Sequence, residues 1–88
     1  MERIKEVSVK DGYTVELHFR DGFVGTVDMT PFLGRGFTAE LLEKEKFKQV
    51  FVEPGGGIAW PNGYDFCPDY LRQLASGTVE QETALENK

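Results

Sequence analysis

Two Asp-Gly pairs, Asp11-Gly12 and Asp21-Gly22, separate three runs in which apolar and polar residues alternate. Alternation with period two is the pattern of a strand with one buried face, and Asp-Gly between such runs marks a tight reversal. The runs place Lys5, Val7 and Val9 in phase, then Tyr13, Val15, Leu17 and Phe19, then Phe23, Val27 and Met29. The chain therefore opens as an antiparallel three-stranded meander.

The register follows from keeping the apolar residues on one side. A two-residue loop at Asp21-Gly22 would put Phe19 opposite Val24 and throw Val27 and Met29 onto the face of Thr14, Glu16 and His18. A three-residue loop, Arg20-Asp21-Gly22, with Gly22 left-handed, sets Phe19 against Phe23, Leu17 against Gly25 and Val15 against Val27. The same construction at Lys10-Asp11-Gly12 sets Val9 against Tyr13 and Val7 against Val15.

The middle of the chain reads as helical. Thr30 is placed as a cap with Pro31 at the first position of a short turn. Thr38 is placed as the cap of a second helix, with Phe37 and Leu42 forming a hydrophobic staple. Through Glu40–Lys48, Leu41, Leu42 and Phe47 are expected to face inward. A strand over Gln49–Glu53, a turn at Pro54-Gly55-Gly56-Gly57 and a return over Ile58–Trp60 make a second hairpin. Trp60-Pro61-Asn62-Gly63 suits a type I turn. A last helix starts at Pro68 with Cys67 as its cap, repeats the staple with Phe66 and Leu71, presents Leu71, Leu74 and Ala75 inward and stops at Gly77. The fold class is α+β: a small antiparallel sheet, three-stranded meander plus second hairpin, with two or three short helices packed on it. Residues 1–77 are expected to form a single compact domain, and residues 78–88 a loose, polar, acidic tail.

Composition narrows the function. The chain has 88 residues, 40% hydrophobic and 12% aromatic, which is globular rather than disordered. A chain of this size buries about 60–65% of its unfolded surface, so its own stability margin is thin. The net charge of −5 argues against unaided contact with nucleic acid or with an anionic membrane. A lone Cys67 excludes an internal disulfide and points to a reducing compartment. With no long apolar run and no leader-like segment, the expectation is a soluble, cytoplasmic chain.

Candidate chemistry is sparse. His18, the one histidine, points away from the core beside Glu16 and Asp28 and reads as a solvated strand residue. Cys67 stands at a helix start, where a thiol is acidified, but Asp65 and Asp69 flank it and no second histidine is present to act as base. It reads as a half-buried small residue. Asp65 and Asp69, four apart, make ordinary sense as partners of a helix start. Gly55-Gly56-Gly57 lacks the lysine and following helix of a phosphate loop. The aromatic set Trp60, Tyr64, Phe66 and Tyr70 stands apart, because Trp and Tyr dominate interface hot spots. Trp60 and Phe66 suit the core; Tyr64 and Tyr70 suit the surface.

Taken together, Phe19-Arg20-Asp21-Gly22, Val27-Asp28-Met29-Thr30-Pro31-Phe32-Leu33, Phe47 and Trp60-Pro61-Asn62-Gly63-Tyr64-Asp65 with Pro68-Asp69 resemble the family called domain of unknown function 2442, over residues 4 to 76. The resemblance implies a compact α+β fold and no established activity or catalytic residue. It also implies a genomic neighbour, a small family numbered 4160, in a pair that looks like a toxin–antitoxin module. Some relatives carry a helix-turn-helix domain after this one. Only Gly77 to Lys88 follow here, too short and too acidic for that domain, so direct regulation of DNA is not expected.

The resulting expectation is a non-enzymatic protein-binding module, an antitoxin-like partner of a small toxin-like protein. Trp60, Asn62, Tyr64, Asp65, Asp69 and Tyr70 are its partner-binding residues, with no metal and no cofactor. One alternative is a ligand-binding or enzymatic domain using Asp28, Asp65, Asp69 and His18. Another is a structural homodimer joined by sheet edges or helices, with Arg3, Lys5 and Lys10 partly protecting the first strand's edge.

Overall fold

A computed structural model describes residues 2–77. Three strands, β1 (Ile4–Val9), β2 (Thr14–Phe19) and β3 (Val24–Asp28), form one antiparallel sheet in the order β1-β2-β3. After two 3-10 turns, Thr30–Phe32 and Gly36–Leu42, comes a one-turn helix α1 (Lys44–Phe47). Then β4 (Phe51–Val52), β5 (Ile58–Ala59) and β6 (Asp65–Phe66) make a second antiparallel sheet, and α2 (Pro68–Ser76) closes the described chain. This is an α+β arrangement of two small sheets and a few short helices. The sheets adjoin where Ile4 N donates to Gly56 O at 2.8 Å.

The second hairpin has the register that the apolar phase requires. Leu17 pairs with Gly25 and Val15 with Val27, and Gly22 takes φ 98° at the loop. The first hairpin differs from expectation by two residues. Val9 pairs with Val15 and Val7 with Leu17, so the loop is Asp11-Gly12-Tyr13. Tyr13 leaves the β1 ladder because its ring stands edge-on to Phe47 at 5.3 Å and its hydroxyl donates to Leu42 O.

Lys5 does not keep the phase of Val7 and Val9. A bulge between Ile4 and Glu6 turns Ile4 inward, 1% exposed, and leaves Lys5 in solvent. Burying an isoleucine in place of an ammonium group is the favourable outcome.

The helical middle follows different caps from those expected. Thr30 lies inside its turn with Met29 preceding it, and its N–H and hydroxyl both donate to Asp28 Oδ1. Thr38 also lies inside its helix. Its hydroxyl accepts from Arg35 N and donates to Arg35 O at 2.7 Å, so it ties down the loop before the helix while buried. The 3-10 winding rotates Leu42 outward, 42% exposed, while Leu41 and Phe47 are buried. Phe37, the other half of the expected staple, is also exposed.

The fourth strand is shorter than Gln49–Glu53, and β6 was not foreseen. Two residues have no readable period; they become a strand only because Ile58 pairs with Phe66 and Ala59 with Asp65. The last helix matches its signals: Cys67 Sγ accepts from Tyr70 N, Pro68 opens the helix and Gly77 ends it at φ 84°.

One apolar cluster joins these elements. Val15, Leu17, Phe19 and Val27 come from the first sheet and Met29 from the residue just after it. Ile58, Trp60 and Phe66 come from the second sheet and its turn, and Leu71 and Leu74 from α2. No helix among the described residues is long and apolar enough to cross a membrane. The expected tail, residues 78–88, lies outside the described residues.

Arg72 fastens α2 to both the chain start and the second hairpin. Its guanidinium lies 2.9 Å from Glu2 and 3.1 Å from Asp21, and covers the Phe23 ring at 4.1 Å. The Phe23 N–H, and after it Arg72, hold the Asp21 carboxyl below its ordinary pKa. A depressed carboxyl stabilises the fold above its unfolded pKa and loses that contribution as pH falls through the folded value. Asp21→Asn keeps the acceptor for Phe23 but removes the charge. The melting temperature of wild type is therefore expected to exceed that of Asp21→Asn at neutral pH and to converge with it in acid. A gap of constant size across the pH series would show that the charge contributes nothing.

Candidate partner-binding surface

The Trp60-Pro61-Asn62-Gly63 turn is closed by its own backbone. Gly63 N donates to Trp60 O, and Trp60 N to Tyr64 O, both at 2.9 Å. Pro61 and Gly63 suit this geometry, as the sequence indicates. Trp60 anchors the turn inward. It is 1% exposed, its Nε1 donates to Phe47 O at 2.8 Å, and its ring stacks on Tyr64 at 5.9 Å. It supports the surface from beneath rather than lining it.

Asn62 and Tyr64 tie the turn to the segment 25 to 32 residues earlier in the chain. Asn62 Oδ1 accepts from Tyr64 N at 3.1 Å, and its Nδ2 donates to Phe37 O at 3.2 Å. The Tyr64 hydroxyl donates to Phe32 O at 3.1 Å. Burial, and after it the nearby Tyr70, pushes the Tyr64 hydroxyl's pKa up, which keeps the proton that this bond needs.

Phe37 is the residue these ties hold in place. Its ring stands edge-on to Tyr64 at 5.5 Å, its carbonyl is bonded to Asn62, and it is still 58% exposed. Beside this segment lies a shallow groove of about 290 Å³ lined by Glu40, Leu41, Lys46, Gln49, Pro61 and Asn62. Glu40 and Lys46 pair across it at 3.0 Å. Lys46, and after it Asn62, hold the Glu40 carboxyl below its ordinary pKa. The ion pair is exposed and contributes little to stability.

The other predicted residues are dispersed around this centre. Tyr70 is half-buried, stacked on Phe66 at 6.4 Å and edge-on to Phe32 at 6.3 Å. Tyr64 meets the same Phe66 ring at 5.1 Å, so the two tyrosines are joined through it. Asp65 is exposed on β6, and Asp69 is exposed with Oδ1 accepting from Glu2 N. Cys67 is exposed rather than half-buried.

The carboxylate cluster of the enzymatic alternative is not assembled. Asp28 is engaged by Thr30, Asp69 by Glu2, and His18 by Glu16 at 3.1 Å on the outward sheet face. Among the described residues no three of His, Cys, Asp and Glu come together as a ligand set.

Sequence reasoning assigned Phe37 to a staple and so missed it as a surface residue. The available signal was its setting, Gly34-Arg35-Gly36-Phe37: Phe37 follows two closely spaced glycines at the very start of its helical turn, where no preceding turn packs against its side chain.

Residues 4–77 match the model of a family described as "Protein of unknown function (DUF2442)". The chain belongs to this family. The Trp60 turn and the second hairpin of this DUF2442 chain both lie inside the matched span. Among solved structures it is similar to the crystal structure named "Putative DNA Binding Protein NE0471 from Nitrosomonas europaea ATCC 19718". The TM-score is 0.77 at 22% identity, over 89% of this chain and 51% of that one. The likeness is one of fold, and this DUF2442 chain spans about half the length of that protein. No curated protein matches it.

Proposed function

We propose that this chain is a non-enzymatic module that docks a small protein partner on the surface centred at Phe37, Leu42 and the Pro61–Tyr64 turn. The observation that carries the reading is Phe37, an aromatic ring left 58% in solvent while its ring and carbonyl are both fixed by the turn. A side chain ordered before binding loses little entropy on binding, which is what an interface hot spot requires. Leu42, 42% exposed, extends the apolar contact. On this reading Asn62 and Tyr64 set the geometry, Trp60 supports it from below, and Asp65, Asp69 and Tyr70 form its flank.

The net charge of −5 favours a partner with a basic rim, which acidic residues would attract at long range. The docking unit is the compact domain ending at Gly77, with the polar residues after it adding to that attraction. A small toxin-like protein, the neighbour implied by the resemblance, is a partner of this kind, and the cytoplasm is the compartment. The same charge opposes phosphate contact, so the DNA binding in the name of the Nitrosomonas protein is not carried over to this chain.

The test is capture of the partner on the tagged chain from its native host, followed by titration of the purified pair. Phe37→Ser is expected to weaken the complex by about thirtyfold, the size of a hot-spot loss of about 2 kcal/mol. Its melting temperature should stay close to wild type, because the side chain lies largely in solvent. Unchanged affinity in a folded Phe37→Ser would place the interface elsewhere.

A further inference from the structure

The two outer sides of the first sheet are treated differently by the rest of the chain. The β1 side is covered at its start: Ile4 N donates to Gly56 O, and Arg3 Nη1 reaches Pro54 O at 3.3 Å. Among the described residues the β3 side is open. Phe19 N bonds Phe23 O and Met29 N bonds Tyr13 O, which fixes the odd-numbered residues of β3 as those facing β2. The amides and carbonyls of Val24, Thr26 and Asp28 therefore point outward in the plane of the sheet. Among the described residues none forms a backbone hydrogen bond to them. Helix α2 does not stand in the way. A side chain added at Gly25 would meet Ala75 Cβ at 2.9 Å, so the helix lies beneath β3 on its inner face, not beside its edge.

Open edges usually carry lysine, proline or a bulge that discourages pairing. Here Lys5 and the bulge lie in β1 and Lys10 just after it, while Val24-Gly25-Thr26-Val27-Asp28 has none of these. Its register with β2 is regular, and Val24 is 49% exposed.

We propose that this edge pairs antiparallel with the same edge of a second copy of the chain, about a twofold axis at Thr26. The strand is complementary to itself in that register. Thr26 meets Thr26 of the second copy, a favourable cross-strand pair, and Val24 meets Asp28, so the two aspartates avoid each other. Each outward amide then finds a carbonyl, and the two meanders become one continuous sheet. The contact is short and smaller than a standard interface, so the dimer is weak and forms at high protein concentration. Each chain carries −5, so added salt strengthens it by screening their repulsion.

Sedimentation equilibrium of the full chain from about 10 µM to about 1 mM covers the weak end of the affinity scale. The average mass is expected to rise from 9.9 kDa toward twice that value, more steeply in high salt. Hydrogen exchange at the Val24, Thr26 and Asp28 amides should slow in parallel. Thr26→Pro removes only an outward N–H, so the fold survives while the dimer is lost. Val24→Lys is the second variant and should also remain monomeric with an unchanged melting temperature. A wild type that stays monomeric to the highest concentration overturns the proposal. So does a dimer that persists in both variants or that weakens with salt. Phe37 takes no part in this contact, so loss of the partner surface and loss of the edge contact are separately readable.

Discussion

Trp60→Ala is expected to lower stability by about 3–5 kcal/mol, the usual cost of deleting a large buried aromatic. Two losses combine. The indole meets Phe47, Tyr64 and Phe66 at ring separations of 5.5, 5.9 and 6.3 Å, so its removal opens a cavity at the centre of the aromatic set. The Phe47 carbonyl also loses its Nε1 donor in a buried place. Against a total stability of about 5–15 kcal/mol for a typical domain, such a loss brings a chain this small close to unfolding at growth temperature. Trp60→Phe separates the two contributions. It refills most of the cavity and leaves the carbonyl unpaired, so a smaller penalty of about 1–3 kcal/mol is expected. Urea titration of both variants measures the difference. If Trp60→Ala cost under 1 kcal/mol, Trp60 would not be the anchor of the turn.

The second large effect is expected at Gly57. A Cβ built there would lie 2.2 Å from Phe66 O and 3.3 Å from Pro68 Cδ. The obstacle is backbone, so no side-chain rotation relieves it. The stretch from β6 into α2 would have to move away from β5, breaking the Ile58–Phe66 pairing. Gly57→Ala is therefore expected to cost at least about 3 kcal/mol, the upper end of overpacking penalties. Gly55→Ala, two residues away, is the internal control. Nothing lies within 4 Å of its added methyl, and its φ is not positive. It should be neutral or slightly stabilising, by about 0.4–1 kcal/mol, through the unfolded chain. Equal effects at the two positions would refute the packing account.

The contrast between these glycines shows where sequence reading stops. Gly55, Gly56 and Gly57 are identical as letters, and all three suit a turn. Gly57 needs its hydrogen because Phe66 passes over it, Gly56 because of its φ of 97° and Arg3 Cα at 3.1 Å, and Gly55 for neither reason. The hairpins teach the same lesson in another form. The Asp21-Gly22 loop was placed correctly because the wrong loop length would have moved Val27 and Met29 to the solvent face. At Asp11-Gly12 the error was two residues, and a slip of two leaves every side chain on its own face. The apolar pattern cannot detect it. The choice was made by Tyr13, whose ring and hydroxyl reach Phe47 and Leu42 about thirty residues on.

The candidate surface divides along the same line. The turn at Trp60 and the start of α2 are local chemistry, with proline, asparagine and glycine at positions that favour those residues. That Asn62 and Tyr64 turn their polar groups to Phe37 and Phe32 was not readable. Those partners are distant in sequence, and either residue could equally have faced solvent.

What the sequence determined by itself was the three-stranded meander, the face that β2 and β3 bury, the second hairpin's register and the two ends of α2. Each of these depends on neighbours a few residues apart, whose spacing is fixed by backbone geometry. The tertiary structure decided the register of the first hairpin, the existence of β6, the exposure of Phe37 and Leu42, and the open edge of β3. Those depend on which distant segments meet, and period and composition carry no information about that.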